Sequence, residues 1–95
     1  MIRLFILIPL MFLLACGPKE DSLEGRLIIY SKKVKDQPND PEAHYQLGKA
    51  YIEKEEFQTA LHELNEATRL KGDYGEAYRE KGIALFYLKH YPASE

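Results

Sequence analysis

Residues 41–74 read PEAHYQLGKAYIEKEEFQTALHELNEATRLKGDY, and this stretch decides the fold. From Phe57 to Leu70 the apolar residues Phe57, Ala60, Leu61, Leu64, Ala67 and Leu70 recur at helical spacing, with Gln58, His62, Glu63, Glu66 and Arg69 between them. That pattern predicts a helix with one apolar face. From Glu42 to Lys54 the buried stripe is Ala43, Leu47, Ala50 and Tyr51, and the charge run Glu53, Lys54, Glu55, Glu56 marks the solvated turn that ends the helix. Asn39-Asp40-Pro41 supplies an N-terminal cap and a first-turn proline, and Gly72 terminates the second helix. Two helices joined by so short a turn form an antiparallel hairpin.

Outside this stretch the chain matches itself at a shift of 34 residues: Glu42 with Glu76, Ala43 with Ala77, Gly48 with Gly82 and Ala50 with Ala84. Where identity is lost, an apolar or aromatic residue usually stands in. Tyr78 falls at the place of His44, Leu85 at that of Tyr51 and Tyr91 at that of Phe57. Such a period predicts an all-α chain of stacked helical hairpins. Residues 75–88 match a first helix, Lys89-His90-Tyr91 match its turn, and the partner helix would begin near Glu95. Upstream, Leu23, Leu27, Tyr30 and Val34 form a stripe that closes at Pro38. Residues 23–36 are therefore expected to form a preceding half unit. Arg26 holds the place that Ala60 fills in the full unit, which favours a capping helix over a true repeat.

The residues Leu47-Gly48, Tyr51, Ala60, Leu64 and Ala67, with Gly82 as the counterpart of Gly48, resemble the tetratricopeptide repeat. The resemblance covers 41–74 fully and 75–95 as an incomplete second unit. It implies a right-handed solenoid in which Gly48 and Ala60 are small because the two helices of a hairpin approach closely, and Ala67 is small where the next unit leans in. It departs from the family in having His44 where a large aromatic is usual and Gly72 where proline is usual. It also implies a concave groove lined by first-helix side chains: Tyr45, Lys49 and Ile52, beside Glu42 and Glu53, in the full unit, and Arg79, Ile83 and Phe86, beside Glu76 and Tyr87, in the next. Such a groove would take a protein or peptide partner through aromatic anchors and a few charge pairs.

The amino terminus is of another kind. Met1-Ile2-Arg3 is a short basic start, Leu4 to Ala15 is an apolar run broken only by Pro9, and Cys16 follows. This reads as a signal peptide over 1–15 and falls short of the roughly 20 apolar residues of a spanning helix. Leu13-Leu14-Ala15-Cys16 resembles the lipobox of bacterial lipoproteins. The resemblance implies a diacylglycerol thioether on Cys16, cleavage before it, and an acylated tether over 16–22. Several acyl chains together hold a protein on a membrane durably. Gly17 after the cysteine, by the same resemblance, points to the outer membrane facing the periplasm. The other reading of Cys16 is an ordinary residue just past a secretory cleavage site.

Composition narrows the function further. Removing Arg3 with the leader leaves 12 Lys and Arg against 15 Asp and Glu, a formal charge of −3, which disfavours nucleic acid as a partner. One cysteine cannot form an internal disulfide or a CxxC pair. His62-Glu63-Leu64-Asn65-Glu66 imitates the start of the zinc-protease HExxH signature, but Glu66 stands where the second histidine belongs. No phosphate loop, nucleophile elbow or carboxylate pair stands apart from the helical stripes. His44 and His90 read as isolated, and the seven tyrosines mostly as core. No enzyme, metal site or cofactor is expected. The expected function is a membrane-anchored adaptor in envelope assembly, with a structural piece of a longer solenoid as the alternative. The apolar side of residues 83–88 would then be covered by self-association or by further chain.

Overall fold

Asp40 starts the central hairpin: its side chain accepts a hydrogen bond from the Glu42 backbone N–H at 3.0 Å, and Pro41 occupies the first turn, where a missing N–H costs nothing. The computed structural model describes residues 22–90. Within them lie four α-helices and no strand: α1 (Leu23–Asp36), α2 (Pro41–Glu53), α3 (Phe57–Leu70) and α4 (Gly75–His90). The chain is all-α over this span. Residues 1–21, with the expected leader, Cys16 and most of the tether, lie outside the described residues, as does Tyr91.

The turn between α2 and α3 is tight because Glu55 takes a left-handed conformation, φ 64°, which returns the chain without a glycine. Phe57 then opens α3 with no side-chain cap; the first turn is held by the Ala60 N–H donating to the Glu56 carbonyl at 3.0 Å. Near the other end Thr68 returns its hydroxyl to the Leu64 and Asn65 carbonyls, both at 3.1 Å, and so hides a polar group inside the hairpin.

Alanines dominate the interior. Ala43, Ala50, Ala60, Ala67, Ala77 and Ala84 are fully buried, and Leu64 is the largest side chain to be so. Small residues let the helix axes draw together, so backbone contact stands in for large side chains. Gly48 shows how close: a Cβ there would lie 2.7 Å from Leu64 Cγ and 3.3 Å from the Ala60 carbonyl oxygen. Each helix packs on the next, and α2 also touches α4. A cluster of larger buried groups, Tyr45, Leu64 and Tyr74 with Ala67 and Ala77, sits where α2, α3 and α4 meet.

Helix α1 packs on α2 alone among the described helices. Ser22 caps it by accepting from the Gly25 N–H at 3.0 Å, and Leu23, Leu27, Tyr30 and Val34 are half-buried. Arg26, too large for an alanine's place in a close contact, reaches instead to Glu53 at the end of α2 with two hydrogen bonds of 2.6 and 2.8 Å. At the other end α4 runs two residues beyond the expected 88. Lys89 and His90 are its last turn and not a loop. Both favour the negative end of the helix dipole, and His90 Nδ1 donates to the Phe86 carbonyl at 2.9 Å.

Candidate partner-binding surface

The six side chains expected to line a groove separate into two groups. Tyr45 is a correction: it is buried, 6% exposed, and not an open anchor. The cause is Tyr74, which folds back from the turn before α4 and sets its ring 5.0 Å from that of Tyr45, tilted by 46°. The Tyr74 hydroxyl donates to Glu42 at 2.6 Å, and Gln46 donates to the same carboxylate at 2.8 Å. These bonds, Gln46's first and Tyr74's second, hold the Glu42 carboxyl below the usual carboxylate range. Burial, followed by the hydrogen bond to Glu42, pushes the Tyr74 phenol well above its ordinary value. Above the buried ring Lys49 places Nζ 5.3 Å from the Tyr45 centroid, and Ile52 packs half-buried against the same cluster.

The α4 residues face outward. Arg79 is open, with Glu80 at 3.8 Å, while Ile83 and Phe86 are 36% and 53% exposed. Around Phe86 the structure assembles a cluster that sequence spacing left scattered. Tyr87 stacks on Phe57 of α3 at 4.7 Å, nearly parallel, and meets Phe86 edge to face at 5.5 Å. The His90 ring lies 4.1 Å from the Phe86 ring. Phe57 and Tyr87 are 30 residues apart in sequence, and a single-helix stripe cannot show that they meet. The surface is thus an aromatic patch on α4, suited to an apolar or aromatic side chain, with the Arg79 guanidinium on the same helix for a carboxylate.

Three further expectations change. His44 is not isolated: it is buried between α2, α3 and the loop before α2. Its Nε2 donates to the Pro38 carbonyl at 2.7 Å and its Nδ1 lies 2.8 Å from Glu63 Oε1. Glu63 is thereby committed to the fold, and His62 beside it points to solvent, so the protease-like pair does not form a unit. Among the described residues no group of three His, Cys, Asp or Glu side chains could hold a metal ion. Gly82, expected at a close helix contact, is open; a Cβ there would meet nothing within 4 Å among the described residues. Tyr51, also expected in the packing set, is half-buried, whereas Leu47, Gly48, Ala60, Leu64 and Ala67 lie inside. No helix of the described residues is long and apolar enough to cross a membrane. No family model matches the chain, and no solved structure matches it.

Proposed function

We propose that this chain is a lipid-anchored adaptor of the tetratricopeptide type, fixed to the outer membrane through Cys16 and holding a protein partner on the outward face of α4, with no reaction of its own. The observation that carries the binding half is the exposed patch of Ile83, Phe86 and Tyr87 on a helix whose buried side is satisfied by alanines. Contiguous apolar area of that kind marks a contact surface on an otherwise charged molecule. The 34-residue period and the small-residue hairpin contact at Gly48 support the repeat assignment; the lipobox-like Leu13 to Cys16 supports the anchor.

The test has two arms. Site-specific photocrosslinking from Arg79 in living cells should trap one partner, and Phe86→Ala with Ile83→Ala should abolish the adduct while circular dichroism stays unchanged. Persistence of the adduct in that double variant removes α4 from the interface. Palmitate labelling should disappear in Cys16→Ser, with the protein released from the membrane fraction; a labelled Cys16→Ser protein rejects the anchor.

A further inference from the structure

His44 closes a corner of the fold with both nitrogens of its ring. Nε2 lies 2.7 Å from the Pro38 carbonyl oxygen, in the loop that joins α1 to α2, and Nδ1 lies 2.8 Å from Glu63 Oε1 of α3. A carbonyl oxygen has no proton to give, so Nε2 carries one. With that proton placed, a neutral imidazole would turn a bare lone pair on Nδ1 toward a carboxylate oxygen. At 2.8 Å two lone pairs repel, and the contact requires a proton on one atom or the other. The corner as built therefore holds one proton more than a neutral imidazole and a carboxylate bring to it. Water is a poor substitute there, since the two side chains are only 8% and 14% exposed.

The charges around the ring favour that proton. Helix α3 presents Glu63 and, within electrostatic reach, Glu66, whose carboxyl is held below the usual range first by the hydrogen bond from Arg69 and further by His44 and His62. At the start of α2 the Asp40 carboxylate accepts from the Glu42 N–H, and the Asp40 carbonyl accepts from the His44 N–H at 3.3 Å. Helix α1 ends two residues before Pro38 with Lys35 and Asp36, the latter bonded to Lys32 at 2.8 Å. Helix α4 meets α2 at the Tyr45 cluster, a different face from that of His44. Among the described residues no Lys or Arg forms an ion pair with Glu63.

We propose that this corner is a proton-operated latch: one proton held between His44 and Glu63 locks α2, α3 and the α1–α2 loop together, and its release as pH rises frees the loop. A neutral imidazole has one N–H, so after release the ring keeps the bond to Glu63 or the bond to Pro38 and not both. The bond to a carboxylate is the stronger, so Pro38 is let go. With it goes the loop whose Asp40 N–H donates back to the Gln37 carbonyl at 3.1 Å. Among the described helices α1 packs on α2 alone, so the seat of α1 loosens too. Folding takes the proton up, which makes the contribution of the latch present at lower pH and lost as pH rises.

Urea unfolding of the full chain from about pH 5 to 8, where an imidazole ordinarily changes charge, tests this. Glu63→Gln is the comparison, because its amide can donate to the bare Nδ1 and close the corner without the extra proton. The wild-type unfolding constant should grow relative to that of Glu63→Gln as pH rises, by up to about tenfold per pH unit for one proton. The bond between Glu42 and Tyr74 does not interfere, since Glu42 is held below its ordinary 4.5 and Tyr74 above its ordinary 10.0. In the folded wild type the amide resonances of Asn39 and Asp40 should move together with those of the His44 ring. Parallel pH dependence of the two chains overturns the proposal. So do loop amides that stay fixed while His44 titrates, or a His44 ring that does not titrate in this range. Should Glu63→Gln fail to fold, the resonances of the wild type decide alone.

Discussion

Leu64 has no room to move: it is fully buried, and its Cγ lies where a Cβ on Gly48 would need to be. Gly48→Ala should therefore destabilise the protein by about 1–3 kcal/mol through overpacking. Gly82→Ala, the same change one period later, should raise stability by up to about 1 kcal/mol, because it removes a helical glycine and meets nothing among the described residues. Thermal melts of the two variants decide it, and equal losses would mean that α4 is as closely covered as α2. Glu55 supplies a second case, since its positive φ suits glycine better. Glu55→Gly should gain about 0.5–1 kcal/mol, read as a rise in melting temperature. The Tyr74 and Glu42 bond predicts a pH signature. The Glu42 carboxyl is held below its ordinary 4.5, so its contribution is complete above that pH and is lost as pH falls through the lower folded value. Tyr74 is raised above its ordinary 10.0, so its contribution is complete below that pH and is lost as pH climbs toward the folded value. Tyr74→Phe should flatten the alkaline loss and part of the acid loss in urea unfolding followed across pH. An unaltered pH profile in Tyr74→Phe would mean the bond carries no stability. None of this pairing was legible in the sequence, because Tyr74 sits in a turn after Gly72 and Asp73, outside any stripe. His44 and Glu63, 19 residues apart, escaped for a related reason: periodicity assigns a residue to a face and not to a partner.

Helix limits, in contrast, were legible almost to the residue where a chemical stop exists. Asp40 and Pro41 fix the start of α2, and the period placed α3 at Phe57–Leu70, as observed. Where the stop was taken only from the repeat match the reading slipped, as at Lys89 and His90, which continue α4 until its described end. Arg26 was legible as a misfit in an alanine's place; its bidentate bond to Glu53 was not, since that bond depends on where α2 ends. That bond is partly open to solvent, with 29% and 46% side-chain exposure, so it stabilises the α1 contact by no more than about 1 kcal/mol. Helix α1 rests otherwise on half-buried Leu23, Leu27, Tyr30 and Val34. Amide exchange should be fastest in α1 and slowest in α3, which is covered on two sides by α2 and α4. Protection in α1 equal to that in α3 would show an additional contact holding it.

At the scale of the molecule, cohesion is local. Successive helices touch, α2 also reaches α4, and α1 meets neither α3 nor α4. Stability should then divide roughly into intrinsic helix contributions and neighbour contacts. Removing α1 should lower the melting temperature of the remaining three helices while leaving their helicity in place; complete unfolding of that shortened chain would reveal a cooperativity that the contacts do not contain. The same locality explains why the fold class was readable and the binding surface less so. A 34-residue period dictates which faces are small and apolar, whereas the covering of Tyr45 and the baring of Gly82 depend on what lies one unit further along.

Packing mainly between successive helices also bears on how the chain is made. Each helix contacts chiefly the one synthesised just before it, so a nascent chain can dock α2 on α1, α3 on α2 and α4 on α3 in the order in which they emerge, without waiting for a distant segment to close the structure.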